Sequence, residues 1–296
     1  MDVILIAQYT LAGLVIGVIY CLMAVGITFI YSIMKMINWA MGEFYMIGGY
    51  LQYLLISTWL GPSRWYLALP LAVLGTGGLG MLLQRVLLQP MFVGQVERLD
   101  EYATIVTISL TVLLRNLAIV VFGPYQFSPR DYAPPVMLGP LPLNGSRLVA
   151  FLGTVVLLGA FAFVVRWTWF GRALRAAAQN RLGALTAGVN LPRLDMCAFG
   201  IGVGLAGAAG ALLAPVFLVY PESGALSTVK GFEIIVIGGL GSIPGSILGG
   251  LLLGLVESLG SVFLSASFRD VYGFGLLLLL LVFRPAGLFG ERAREA

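Results

Sequence analysis

The sequence predicts an all-α polytopic membrane protein of about eight to nine apolar segments, with broken or re-entrant helices and an inverted repeat. Three observations carry this prediction. Apolar types make up 59% of the 296 residues and charged types only 10%, against roughly 25% charge in a soluble domain. Uncharged runs close to the ~20 residues of a spanning helix recur along the whole chain. One short pattern also returns in the second half, in a segment expected to cross in the opposite direction. With a mean hydropathy of +0.99, the chain is not disordered, since disorder needs low hydrophobicity. Its natural solvent is lipid.

The apolar segments follow one another as 3–34, 44–63, 65–84, 103–122, 148–165, 196–221, 234–256 and 267–283. Arg115 alone interrupts 103–122, and Arg269 and Asp270 stand at the start of the last segment. The run 234–256 divides in two at Gly238-Gly239-Leu240-Gly241-Ser242-Ile243-Pro244-Gly245, because glycine and proline break a helix. Between the segments lie two long loops. Residues 123–146 hold prolines 124, 129, 134, 135, 140 and 142; proline denies helix continuation, so an irregular external loop is expected. Residues 166–195 carry Arg166, Arg172, Arg175, Arg181 and Arg193 with the acid Asp195. Ala, Leu and Arg are good helix formers, which predicts a short surface helix over 171–190. Leu174, Ala178, Leu182 and Leu185 would form its apolar stripe, Gly171 would allow a sharp turn off the preceding span, and Gly188 with Pro192 would end it. Arg181 falls on the apolar side of this helix.

Basic residues orient the chain. With the N-terminus outside and nine segments alternating, Lys35, Arg85, Arg98, Arg166, Arg172, Arg175, Arg181, Arg193, Arg284, Arg292 and Arg294 fall inside. Arg64, Arg130, Arg147, Lys230 and Arg269 fall outside. This asymmetry fits the positive-inside rule, and Trp59, Trp65, Trp167 and Trp169 at segment ends fit an aromatic belt. The 166–195 loop and the C-terminus are then cytoplasmic. No basic residue precedes Lys35, unlike a cleavable signal peptide.

Several chemistries are excluded. There is no histidine, hence no histidine base, metal ligand or proton relay. Cys21 and Cys197 lie in apolar runs and form no metal-ligand spacing, so no metal site is expected. Lys35 and Lys230 stand in no phosphate-binding loop, and the modest net charge of +4 needs no nucleic-acid partner. Gly202-Val203-Gly204-Leu205-Ala206-Gly207 matches a dinucleotide fingerprint but sits inside an apolar run. It reads as close helix packing through small residues, as do the pairs Gly13/Gly17, Gly245/Gly249 and Gly250/Gly254.

The repeat joins Glu43-Phe44-Tyr45-Met46-Ile47-Gly48-Gly49 to Glu233-Ile234-Ile235-Val236-Ile237-Gly238-Gly239. Inverted repeats place a transport path at their interface, often beside broken helices. Asn38, Glu43, Gly48, Gly49, Glu233, Gly238 and Gly239 are therefore the pathway candidates. A charge within a span is costly and commonly functional, which also singles out Arg115, Lys230 and Glu257. Lys230 and Glu233, three apart on a helix, form a local pair on one reading; Arg115 pairs with Glu43 or Glu257 on the same reading, and on the other these groups line the path. No nucleophile–base constellation is present, so an intramembrane enzyme is not indicated.

Four stretches carry a family resemblance. They are Ile37-Asn38-Trp39-Ala40-Met41-Gly42-Glu43 within 17–51, Gly171-Arg172-Ala173-Leu174-Arg175-Ala176 through Asn190, the break 238–245, and the tail Phe283-Arg284-Pro285-Ala286-Gly287-Leu288-Phe289-Gly290. Together the chain resembles the permeases of branched-chain amino-acid ABC importers, the LivH/LivM family. The resemblance implies one transmembrane permease domain over 1–296 in a bacterial or archaeal inner membrane, and no catalysis by this chain. It implies a second, homologous permease, two cytoplasmic ATPase subunits that use ATP, an external solute-binding protein, and no cofactor bound here. Gly171, Arg172, Arg175, Ala178, Gln179, Asn180 and Arg181 would couple to the ATPase. Related permeases also serve urea or short amides. An ion-coupled secondary transporter using Glu43, Glu233 or Glu257 is the reading from another class.

Overall fold

The computed structural model describes residues 3–93, 98–138 and 141–290; Pro140, Arg292 and Arg294 lie outside them. The described residues are almost wholly helical. Helices α1 (Val3–Met34), α2 (Met41–Leu54), α3 (Trp65–Leu83), α4 (Gln89–Val93) and α5 (Leu99–Phe122) make the first half. Helices α6 (Gly145–Trp167), α7 (Trp169–Gln179) and α8 (Arg181–Thr186) follow. Then come α9 (Leu191–Leu213), α10 (Ser223–Gly238), α11 (Ile243–Phe263) and α12 (Arg269–Phe283). A π-helical stretch, Gln84–Leu88, joins α3 to α4, and another, Leu55–Leu60, extends α2. Among the described residues, seven helices are long and apolar enough to cross a membrane. The shorter α2 and α10 are the two that carry the repeated pattern.

In lipid no hydrophobic force drives helices together, so close backbone approach must. The glycines supply it. A Cβ on Gly254 would lie 2.5 Å from the Gly17 Cα, and one on Gly17 would lie 2.9 Å from the Gly250 carbonyl oxygen. The stretch 202–207 does the same for α9: Gly202 abuts Gly26 of α1, and Gly207 abuts Gly48 of α2. The glycine-rich break falls where the sequence places it. Gly239 and Gly241 have φ of +100° and +85°, and the Ser242 side chain accepts the Gly245 N–H to start α11.

Helix pairing is symmetric about the centre. Helix α1 packs on α11 as α9 packs on α3; α2 packs on α9 as α10 packs on α1; α2 meets α3 as α10 meets α11. The α1–α9 and α2–α10 pairs lie across the axis. Trp39 meets Phe232 with ring centroids 4.9 Å apart and planes tilted by 47°, while the Gly42 N–H donates to Thr228 Oγ1 at 3.0 Å. Helices α2 and α10 thus run in opposite directions, as an inverted repeat requires.

Two rims result. On one, Arg181 donates to the Ile33 carbonyl and stacks 4.8 Å from the Phe92 ring, Ser32 Oγ donates to the Gly241 carbonyl, and the Leu288 N–H donates to the Ile237 carbonyl. On the other, Phe127 bridges to Val219 and Tyr132 stacks on Trp65. The first rim carries Lys35, Arg85, Arg98, the arginines of 166–193 and Arg284.

Two expectations change. The loop 123–146 is not irregular throughout: β1 (Val136–Leu138) and β2 (Leu141–Leu143) pair antiparallel, with Met137 opposite Pro142. A two-stranded ribbon has only edges, where proline is tolerated. The surface helix is not continuous either, because it ends at Gln179 and restarts at Arg181.

Candidate functional site

A cavity of about 440 Å³ lies toward the rim of the 123–146 loop, between α1 and α2 on one side and α9, α10 and α12 on the other. It therefore falls between the two halves of the repeat. Its walls are mainly apolar, including Met23, Leu213, Phe217 and Ile234. Lys230, Arg269 and Asp270 line it as well.

Behind those three residues stands a buried charge cluster. Lys230 Nζ lies 2.6 Å from Glu257 Oε1, 2.9 Å from Asp270 Oδ1 and 3.4 Å from Glu233 Oε2. Arg269 Nε donates to Glu257 Oε2 at 2.8 Å, and the Tyr20 hydroxyl donates to the same oxygen at 3.2 Å. Glu257 is fully buried, so its charge requires these partners. The Lys230–Glu233 pair expected from helical spacing is present, but the shorter contact is to Glu257 on the neighbouring helix. Arg115 pairs with neither Glu43 nor Glu257. It reaches Glu222 at 3.1 Å, both side chains being a little under half exposed, because the long guanidinium arm of α5 extends to the polar rim instead of the bundle centre.

The pathway candidates do not line this cavity. Asn38 is buried, and its Oδ1 accepts the Ala40 N–H at 3.0 Å, closing the turn into α2. Glu43 is fully buried, and neither carboxylate oxygen has a hydrogen-bond partner; it rests on Gly224, whose missing Cβ makes the room. Gly48 lies on Gly207, Gly49 against Val219, and Gly238 against Gly245. Gly239 combines a positive φ with close approach to Gly290, which seats the tail under α10. Glu233 is buried behind Lys230. The four glycines set helix approach, while Tyr20, Arg269 and Asp270, which the sequence did not single out as site residues, join Lys230, Glu233 and Glu257 in the charge network.

On the basic rim, α7 leaves the end of α6 at Gly171, where a Cβ would lie 2.5 Å from the Val165 carbonyl carbon. Thr168 Oγ1 caps the Gly171 N–H. Ala173, Leu174 and Ala177 are buried, Ala178 is half-buried, and Arg172, Arg175 and Gln179 are exposed. Arg175 donates to the Val165 carbonyl, one of the last of α6. The expected apolar stripe stops there: Leu182 and Leu185 are exposed. Asn180 is the cause, since its side chain accepts the Gly183 N–H at 2.9 Å and starts a new helix. The restart turns Arg181 inward, where Nη2 meets Asp195 Oδ2 at 2.6 Å. Gly188, at φ +84°, ends α8 with the Val189 N–H donating to the Ala184 carbonyl.

The chain matches the family described as "Branched-chain amino acid transport system / permease component" over residues 9–283. It belongs to that family. It is 32% identical to the "High-affinity branched-chain amino acid transport system permease protein LivH" of Salmonella typhimurium, over 96% of this chain and 95% of the relative. The protein of the same description named BraD, from Pseudomonas aeruginosa, is also 32% identical, with the same coverage. The LivM permease of Escherichia coli is 27% identical over 91% of this chain and 67% of its own length. No solved structure matches the chain. The resemblance read from the sequence is thus the family to which the chain belongs.

Proposed function

We propose that this chain is a pore-forming subunit of an ATP-driven, binding-protein-dependent importer of branched-chain amino acids in a bacterial or archaeal inner membrane. The observation that carries the reading is the exposed face of α7. Arg172 and Gln179 are exposed on the basic rim, Arg175 is exposed beside them with its guanidinium on the Val165 carbonyl, and Ala173, Leu174 and Ala177 hold the helix to the bundle. A short helix fixed in this way transmits the movement of whatever docks on it. The docking partner is a cytoplasmic ATPase, two of which supply the energy, since this sequence contains no phosphate-binding loop. The basic rim is then cytoplasmic, the N-terminus outside and the C-terminus inside. The 123–146 side receives the solute-binding protein. A second permease, of the LivM kind, completes the path; no cofactor binds this chain. The substrate follows from the names of the relatives, and urea or a short amide is the alternative cargo.

The test uses single cysteines at 130, 172 and 175 in a background lacking Cys21 and Cys197. An impermeant reagent on intact cells should label 130 and spare 175, and the cysteine at 172 should cross-link to the ATPase. Labelling of 175 with sparing of 130, or an ATPase that cross-links to 130, overturns the assignment.

A further inference from the structure

Arg269 and Asp270 are neighbours in sequence at the start of α12 and both line the cavity between the repeat halves. Their hydrogen-bonding capacity is only partly used. Lys230 Nζ has carboxylate oxygens of Glu257, Asp270 and Glu233 at 2.6, 2.9 and 3.4 Å. Arg269 spends Nε on Glu257 and one Nη2 proton on Tyr20, which leaves Nη1 without a protein acceptor among the described residues. Asp270 gives Oδ1 to Lys230, and its side chain remains 67% exposed. Both Arg269 and Asp270, each with hydrogen-bonding capacity to spare, therefore contribute to the cavity wall. Beyond them the wall is mainly apolar, with Phe217 under the Arg269 guanidinium at 5.9 Å and Met23, Leu213 and Ile234 alongside Tyr45, Ser223 and Ser227. The volume of about 440 Å³ lies in the range of ligand pockets, roughly 300–1,000 Å³.

We infer that this cavity is a binding site for an aliphatic α-amino acid zwitterion, with Arg269 taking its carboxylate, Asp270 its ammonium, and the Met23, Leu213 and Ile234 wall its side chain. The inference deepens the importer reading and rests on it for the choice of amino acid. Three properties of the site fit that ligand class. A fixed donor fork suits a carboxylate. An adjacent acceptor, already half neutralised by Lys230, suits an ammonium without demanding a net charge. The buried cluster behind them locks both side chains, so that little is lost in ordering them on binding. Urea or an amide carries neither charge, so its hydrogen bonds to the two groups would lack the charge on the ligand side and be weaker.

Binding is measured by calorimetry on the assembled complex in nanodiscs without the solute-binding protein, using leucine, leucinamide and 4-methylpentanoate. Leucine should bind, and each analogue, lacking one charge, should bind about tenfold weaker or worse, as loss of a charge-assisted hydrogen bond implies. Asp270→Asn should weaken leucine and leucinamide but not 4-methylpentanoate. Arg269→Lys, which keeps a cation beside Glu257, should weaken leucine and 4-methylpentanoate but not leucinamide. The analogue series on the unaltered protein stands even if a variant misfolds. Absence of leucine binding, equal binding of all three ligands, or a loss in each variant that ignores which charge the ligand carries overturns the inference. The importer reading fails separately, if the complete wild-type system takes up no branched-chain amino acid while calorimetry still sees leucine.

Discussion

Arg181 Nη2 lies 2.6 Å from Asp195 Oδ2, which ties the first residue of α8 to the foot of α9. The pair is lopsided: the Asp195 side chain is 2% exposed and that of Arg181 is 32% exposed. Removing one partner of a buried pair strands the other, so the two truncations should differ. Arg181→Ala leaves a buried carboxylate and should cost up to about 3 kcal/mol. Asp195→Asn leaves an arginine that can turn to solvent and should cost less. Thermal unfolding of the two variants in nanodiscs checks the order; equal losses would mean that the ion pair does not hold α8 in place.

The glycine contacts make a sharper steric prediction. Gly254→Val in α11 would drive side-chain atoms into the Gly17 backbone, and overpacking of this kind costs typically about 1–3 kcal/mol. Gly159, in α6, has open space where its Cβ would be, so Gly159→Val should be tolerated. Folded yield and melting temperature should fall for the first and hold for the second.

Coupling should be lost from either face of α7. Ala177 is buried, and Ala177→Arg should lift the helix off the bundle. Ala178→Pro should disrupt the last turn of α7, at a cost below the roughly 3 kcal/mol of a proline in a helix interior. Arg172→Glu reverses a charge on the outward face and leaves the packing alone. All three should lower leucine transported per ATP hydrolysed while the complex stays assembled. Unchanged ratios would reduce α7 to a topological anchor.

The Lys230 cluster should be intolerant of single changes. Lys230→Met leaves the buried Glu257 with Arg269 alone and strips the buried Glu233 of its ion-pair partner, and should reduce folded protein severely. Adding Glu233→Gln removes one surplus carboxylate and should restore part of the yield. A Lys230→Met chain as stable as the unaltered one would show that the cluster contributes little.

Much of this molecule was legible in the sequence because lipid makes simple demands. Apolar runs located the long helices, the glycine pairs 13/17 and 250/254 marked where backbones touch, and the break at 238–245 fell where its turn residues stand. The repeat at Glu43 and Glu233 pointed to α2 and α10 and to their opposed directions. What could not be read were partners brought together by tertiary structure. Arg115 and Glu222, or Tyr20 and Glu257, meet across more than a hundred residues, and no periodicity encodes such a meeting. The stop at Asn180 was available in principle, since asparagine prefers a helix start; the apolar spacing of Leu182 and Leu185 argued against it locally, and the cap won. The resulting rotation is what brings Arg181 to Asp195.

Reconstitution tests the central claim most directly. Proteoliposomes holding this chain, a LivM-type permease and two ATPases, with ATP inside and the solute-binding protein outside, should accumulate labelled leucine against its gradient. Omitting this chain, ATP or the binding protein should abolish accumulation, and a proton or sodium gradient should not replace ATP. Leucine accumulation driven by an ion gradient through this chain alone would contradict the account.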